Sequence, residues 1–125
     1  MMTDKYISYK TAKLLKHKGF EMDGLTVYNV FKGHMYEIEG VQSEMFKADE
    51  DVTIPTIYSA MQWLREEHNI LIVVDRAPDF YYWELEDNTT GEDIEGYGEA
   101  PTYEEACEMA INYALTKINN ETQMD

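Results

Sequence analysis

The segment PTIYSAMQWLREEHNILIVV, residues 55–74, decides the fold because it joins a helix pattern directly to a strand pattern. One helix face carries four apolar residues at the spacing i, i+3, i+4, i+7, namely Ile57, Ala60, Met61 and Leu64. This periodicity predicts a helix over residues 55–68. The apolar run 70–74 that follows predicts a strand covered on both faces.

Two further strands and a second helix are predicted towards the C-terminus. Residues 80–86 alternate, and we expect the set that includes Trp83 to face the core. Residues 93–98 give a weaker pattern, typical of an exposed strand. The last helix, over 102–118, begins with a Thr-x-x-Glu capping box, in which the hydroxyl and the carboxylate each satisfy one free backbone amide.

The order of these elements predicts an α+β fold, in which helices pack on an antiparallel sheet of about three strands. The α-β-β-β-α order resembles the double-stranded-RNA-binding domains, and the resemblance implies RNA contacts at the first inter-strand loop and at a basic start of the closing helix. Here the closing helix begins with Tyr103, Glu104 and Glu105, and the loop offers only Arg76 beside Asp79. Phosphates would be repelled at both places, so we expect the topology without the RNA binding.

The N-terminal part predicts a short helix and a hairpin. Ser8 suits the N-cap of a helix over 8–18, because its hydroxyl can accept from a free amide of the first turn. Gly19 suits the left-handed residue that ends it, with Phe20 closing a Schellman motif over Leu15.

Residues 25–31 and 35–39 are rich in β-branched and aromatic residues and predict a hairpin, which could extend the sheet of about three strands. The 125 residues suit a single domain, 1–125. We divide it into an N-terminal helix and hairpin (1–53), the helix–strands–helix core (54–119) and a polar tail (120–125). Residues 40–53 show no clear pattern.

Charge is distributed unevenly and excludes several classes of function. Ten Lys and Arg oppose 25 Asp and Glu, for a net charge of −15, and residues 77–116 contain eleven acidic and no basic residues. This balance argues against a general nucleic-acid binder, whose affinity depends on neutralising phosphates. The longest apolar run is five residues, too short to cross a bilayer, and no signal peptide is apparent, which predicts a cytoplasmic protein.

Reactive residues are few and scattered. The three imidazoles, His17, His34 and His68, fall on three different predicted elements, and no spacing indicates a zinc site or a catalytic pair. The lone cysteine, Cys107, lies on the apolar face of the last helix, where a buried thiol is the simpler interpretation. Residues 87–93 have the composition of a calcium loop without its alternating ligands. We therefore expect no enzyme activity, no metal site and no cofactor.

An aromatic and acidic group of side chains is the strongest candidate for a functional surface. Half of the aromatic residues near 80–83 should fill the core, and the rest should lie on a solvated sheet face. An apolar centre with an acidic rim is what a binding site for a basic protein would present. The predicted protein-interaction residues are Phe80, Tyr82, Glu84, Glu86, Glu92, Asp93 and Glu95.

The segments ISYKTAKLLKHKGF, PTIYSAMQWLREEHNI and PTYEEACEMAINYAL resemble those of a family of small acidic proteins of gut Bacteroidales and their phages or integrated mobile elements. The resemblance covers nearly the whole chain, matches least over residues 33–53, and implies an accessory role without defining any site. We therefore predict a non-catalytic interaction protein with a basic protein partner. A sharper form of this hypothesis is that the acidic face imitates nucleic acid; the alternative is a small-molecule or cation sensor.

Overall fold

The computed structural model describes residues 6–22, 27–31, 34–40 and 51–118. The chain forms two compact units, residues 1–60 and 61–125. In chain order the helices and strands are α1 (Tyr9–His17), β1 (Val27–Phe31), β2 (His34–Ile38), β3 (Asp51–Ile54), α2 (Ile57–His68), β4 (Ile70–Arg76), β5 (Tyr81–Asp87), β6 (Asp93–Ala100) and α3 (Tyr103–Thr116). The predicted α+β class is confirmed. The division into a single domain with three parts stays a prediction, and its tail, 120–125, lies outside the described residues.

The first unit is built on a three-stranded antiparallel sheet with the strand order β2-β1-β3. The predicted hairpin is present, since β1 pairs with β2 from Val27–Ile38 to Phe31–His34. Its other neighbour is β3, so the hairpin belongs to a sheet of its own and does not extend the C-terminal sheet. Helix α1 packs on β3. A four-residue strand carries too short a pattern to be recognised, which is why β3 was not predicted.

The ends of α1 follow from its sequence. The Ser8 hydroxyl accepts from the amide of Thr11 at 3.2 Å, as an N-cap should. At the other end, Phe20 N–H donates to the carbonyl of Leu15 at 3.0 Å, and Gly19 N–H donates to Lys16 at 3.1 Å. These two bonds are the Schellman motif, and Gly19 adopts the φ of +89° that the motif requires.

The second unit is an antiparallel sheet with the order β4-β5-β6, on which α3 packs across all three strands. Helix α2 leads directly into β4 through Asn69, whose φ is +60°. Helix α3 begins as predicted, with the Thr102 hydroxyl accepting from the amide of Glu105 at 3.1 Å. Its core-facing side is fully buried at Ala106, Cys107, Ala110, Ile111 and Ala114.

Trp83 of β5 fills the space between the sheet and α3. It is 4% exposed, and its ring centroid lies 5.5 Å from that of Tyr113 on α3. Gly96 and Gly98 of β6 leave the room that the indole needs, because a Cβ at Gly98 would lie 2.7 Å from Trp83 Cε2. The Trp83 Nε1 atom is buried and has no hydrogen-bond acceptor among the described residues. The glycines of β6 are therefore part of the core packing.

Candidate functional site

The face of the second sheet that points away from Trp83 is acidic. Residues that pair directly across antiparallel strands point to the same side. On this side Glu84 of β5 lies between Val73 of β4 and Tyr97 of β6, and Glu86 lies between Leu71 and Asp93. We name this surface the acidic face and define it by Asp75, Tyr82, Glu84, Glu86, Asp93, Tyr97 and Glu99. It presents five carboxylates and no basic side chain.

Two tyrosines give the acidic face an aromatic patch. The ring centroids of Tyr82 and Tyr97 lie 6.1 Å apart, and Tyr97 is 57% exposed. The Tyr97 hydroxyl donates to Glu99 Oε2 at 2.7 Å. That hydrogen bond, with smaller effects from burial and nearby negative charge, raises the pKa of the Tyr97 phenol above its usual value. The phenol therefore stays neutral and keeps its proton for hydrogen bonding.

Three carboxylates of the acidic face come together towards one end of it. Glu84, Glu86 and Asp93 each place an oxygen within 4.8 Å of the others. Two charges at this separation repel each other by about 1 kcal/mol even in bulk water. A cation or a basic side chain placed among them would relieve that repulsion. No other group of three or more carboxylate, imidazole or thiol side chains lies close enough to share a metal ion in the part of the chain that the structure describes.

An irregularity in the pairing of β6 opens a shallow hollow beside these carboxylates. The pair Glu84–Tyr97 is followed by Leu85–Ile94, so Glu95 and Gly96 of β6 have no partner residues on β5. The resulting concavity has a volume of about 260 Å³ and is lined in part by Glu84 and Asp93. A bulge of this kind bends the strand and re-aims its side chains.

The structure brings together four of the seven predicted interaction residues, namely Tyr82, Glu84, Glu86 and Asp93. Phe80 precedes β5 in the turn, where its carbonyl accepts from Ala77 N–H at 2.8 Å. Glu92 lies in the turn before β6. Glu95 is highly exposed at the bulge, and its carboxylate lies 3.7 Å from the Lys117 ammonium just beyond α3. Phe80 and Glu92 lie outside the strands of the acidic face, whereas Glu95 lines the same hollow as Glu84 and Asp93.

The loop with calcium-like composition is held together by its own hydrogen bonds. The Asp87 carboxylate accepts from the backbone amides of Thr89 at 2.8 Å and Thr90 at 3.0 Å, and from the Asn69 side chain at 3.0 Å. The backbone amides of Thr90 and Thr89, in that order, are the main reason that the pKa of Asp87 is lowered. The same Asp87 oxygen atom accepts all three hydrogen bonds, so this carboxylate stabilises the turn.

The imidazoles and the thiol lie on different elements, as predicted. His17 ends α1, His34 begins β2 and His68 ends α2. The His68 ring meets the Trp63 ring edge-on, with 4.6 Å between the ring centroids. Burial lowers the pKa of the His68 imidazole, and the nearby negative charge of Glu67 opposes this with a smaller effect. Cys107 is fully buried in α3, which confirms the prediction for this thiol, and burial raises its pKa.

Three members of the acidic face, Asp75, Tyr97 and Glu99, are not among the predicted interaction residues, although Tyr97 belongs to the aromatic group that the sequence singles out. Asp75 pairs with Tyr82, and Glu99 pairs with Tyr82 from the other side. The alternation of exposed and covered residues in β6 was visible in the sequence as Glu95, Tyr97 and Glu99 separated by glycines. The sequence did not indicate the cross-strand register that places these residues beside β5.

Comparisons with family models, with curated proteins and with solved structures found no significant match to this chain. The resemblance to double-stranded-RNA-binding domains therefore rests on the order of the elements alone. None of the helices in the described residues is long and apolar enough to cross a membrane.

Proposed function

We propose that this chain is a non-catalytic accessory protein that binds a basic protein through the acidic face. The observation that carries the proposal is the composition of that face, five carboxylates and two tyrosines with no Lys or Arg. In an ordinary solvated sheet face both signs of charge are interspersed, which limits repulsion. Among the described residues, no Lys or Arg forms an ion pair with Glu84, Glu86 or Asp93 that would offset their repulsion.

The chemistry of the face fits a partner rich in Lys and Arg. Complementary charge speeds association and selects against acidic partners. The exposed Tyr97 ring, with Tyr82 beside it, offers flat apolar area on which a guanidinium group can stack. Tyrosine is also enriched among the residues that dominate binding energy at interfaces.

In its sharper form, the proposal is that the acidic face takes the place of a nucleic-acid backbone on the partner. Glu84 and Glu86 lie two residues apart on one strand, about 7 Å along it, and Asp93 continues the charge onto β6. The resemblance to proteins of phages and mobile elements supports this form, because it implies an accessory role in the cytoplasm of a bacterial host.

Capture from a host lysate tests the proposal. The immobilised full chain is compared with the variant Glu84→Gln/Glu86→Gln/Asp93→Asn, which keeps side-chain shape and removes three charges. We expect a basic protein that the wild type retains and the variant does not, that elutes as salt rises, and that duplex DNA displaces. Retention of the same proteins by both chains, or elution that does not depend on salt, would contradict the proposal.

A cation-sensing function is a second candidate, favoured by the three carboxylates of Glu84, Glu86 and Asp93. Oxygen ligands of this kind suit Ca²⁺ and Mg²⁺. Thermal unfolding of the wild type and the triple variant with each ion separates the candidates, since a ligand that binds only the folded state raises Tm. A rise in the wild type alone supports the cation site, and no rise in either chain excludes it.

A further inference from the structure

Tyrosines and glutamates alternate in one part of the acidic face. Tyr82 of β5 pairs directly with Glu99 of β6, and Glu84 pairs directly with Tyr97. These four residues, which we call the tyrosine–glutamate square, form a four-sided patch with the tyrosines on one diagonal and the glutamates on the other. Directly paired residues have Cβ atoms about 4.5–5.5 Å apart, and residues two apart on a strand are separated by about 7 Å. Each ring therefore has a carboxylate as its neighbour both across the sheet and along its own strand.

The aromatic part of the square is accessible and held in place. Tyr97 is 57% exposed, and its ring plane is inclined by 31° to that of Tyr82, closer to parallel than to perpendicular. The hydrogen bond from the Tyr97 hydroxyl to Glu99 Oε2, at 2.7 Å, restrains the Tyr97 ring. A ligand that stacks on a restrained ring costs the side chain less conformational entropy.

Glu84 is the carboxylate that a ligand on the Tyr97 ring would meet across the strands. Among the described residues, no Lys or Arg forms an ion pair with Glu84 or Glu99. Glu84 is half-buried, so water and salt screen its charge less than that of an exposed glutamate. A cation beside Glu84 would also offset its repulsion by Glu86 and Asp93, whose oxygens lie within 4.8 Å. This position therefore favours a positively charged ligand.

We propose that the tyrosine–glutamate square binds an arginine side chain of the partner in preference to lysine, with the guanidinium stacked on Tyr97 and hydrogen-bonded to Glu84. The inference rests on the proposed function, since it places the basic partner on the acidic face. A guanidinium is planar and weakly hydrated, so it can lie flat on a ring while its edge donates two hydrogen bonds to a carboxylate. The ammonium of lysine is a compact, strongly hydrated charge and cannot make both contacts in this way. Carboxylates alone would attract both side chains through the same charge, and it is the ring beside the carboxylate that selects arginine.

Binding of two labelled peptides to the full chain, followed by fluorescence anisotropy, tests this preference. The peptides have equal length and equal charge, and glycine alternates with arginine in one and with lysine in the other. We expect the wild type to bind the arginine peptide about fivefold more tightly. Equal affinities for the two peptides overturn this inference and leave the proposed function standing. Binding of neither peptide also overturns it, while capture from the lysate tests the proposed function separately.

Substitutions of Tyr97 test the role of the ring. Tyr97→Leu removes the ring without changing charge, so the affinity for the arginine peptide should fall to that for the lysine peptide, which should stay unchanged. Tyr97→Phe keeps the ring and loses only the hydrogen bond to Glu99, so it should retain most of the preference. Tyr58→Leu is the matched control, because Tyr58 is a 70% exposed tyrosine of α2, outside the acidic face. A wild-type preference in Tyr97→Leu, or its loss in Tyr58→Leu, contradicts the proposed stacking.

A substitution of Glu84 tests the role of the carboxylate. Glu84→Gln removes a charge that attracts both peptides and an acceptor pair that only a guanidinium can use fully, so the affinity for the arginine peptide should fall by the larger factor. Glu95→Gln is the matched control: it removes the same charge from a glutamate whose carboxylate lies 3.7 Å from the Lys117 ammonium. It should change the two affinities by the same factor. Equal losses for the two peptides in Glu84→Gln would contradict the proposed hydrogen bonds.

Discussion

Substituting Gly98 with Ala tests the packing of the second unit, because it adds one methyl group at the most crowded point of the core. The new Cβ would lie 2.7 Å from Trp83 Cε2 and 2.9 Å from Cζ2, and would press on Nε1. Real Cβ contacts are not this short, so the indole must move. The indole is 4% exposed and packs against Tyr113, so there is little space into which it can move.

The expected cost is a balance of two effects. Overpacking a well-filled core costs about 1–3 kcal/mol. Replacing glycine by alanine stabilises by about 0.4–1 kcal/mol through the unfolded chain, where φ is compatible. No positive φ is found at Gly98. We therefore expect Gly98→Ala to lower the free energy of unfolding by about 1–2 kcal/mol, which corresponds to a fall in Tm of roughly 5–10 °C.

Guanidinium unfolding followed by far-ultraviolet circular dichroism measures this cost, and a double-mutant cycle identifies its source. Trp83→Phe removes Nε1 and the fused ring, so in its presence Gly98→Ala should lose most of its effect. Gly91→Ala is the control: it forces alanine to the φ of +78°, with no atom within 4 Å of the new Cβ. Its cost should be unchanged by Trp83→Phe. Equal stability of Gly98→Ala and the wild type, or full additivity with Trp83→Phe, would refute the packing argument.

Three other predictions follow from side-chain hydrogen bonds and from the half-buried imidazole of His68. Thr102→Ala removes the N-cap of α3 and should cost about 1 kcal/mol in urea unfolding. Asn69→Gly loses the side-chain bonds to Asp87 and Thr89 and should cost about 1–2 kcal/mol; Asn69→Ala should cost about 1 kcal/mol more, since alanine at a φ of +60° is strained. The pKa of His68 is lowered in the folded state, so the unfolded chain binds the proton first and stability falls as pH drops below about 6.5. His68→Phe should remove that part of the pH dependence of Tm, and an unchanged profile would contradict a lowered pKa of the half-buried His68 ring.

The fold was predictable wherever local signals were strong. The capping residues Ser8 and Thr102, and the Gly19–Phe20 ending of α1, placed two helices to within one or two residues. Strand alternation identified β5 and the side on which Trp83 lies. In α2, Trp63 is buried and Met61 only half-buried, because the buried face of the helix is rotated from the predicted one towards Trp63.

The remaining features of the fold and of the acidic face depend on which strands pair, and local sequence patterns do not specify strand pairing. Strand β3 is short, and its place beside β1 comes from long-range hydrogen bonds. The apolar run 70–74 predicts a strand covered on both faces, whereas in β4 only Ile70 and Ile72 are buried and the other three residues are half-buried. The acidic face needed the register of three strands: Asp75, Tyr97 and Glu99 join Glu84 only when β4 and β6 flank β5. The bulge, which leaves Glu95 and Gly96 without partners on β5, was likewise not apparent in the sequence.

The most direct test of the acidic face is the salt dependence of its affinity for the captured basic protein. The dissociation constant is measured by calorimetry over a series of salt concentrations for the wild type and for Glu84→Gln/Glu86→Gln/Asp93→Asn. We expect the affinity of the wild type to weaken steeply as salt rises, and the variant to bind more weakly with a shallower salt dependence. Equal slopes and equal affinities for the two chains would show that binding occurs elsewhere on the molecule.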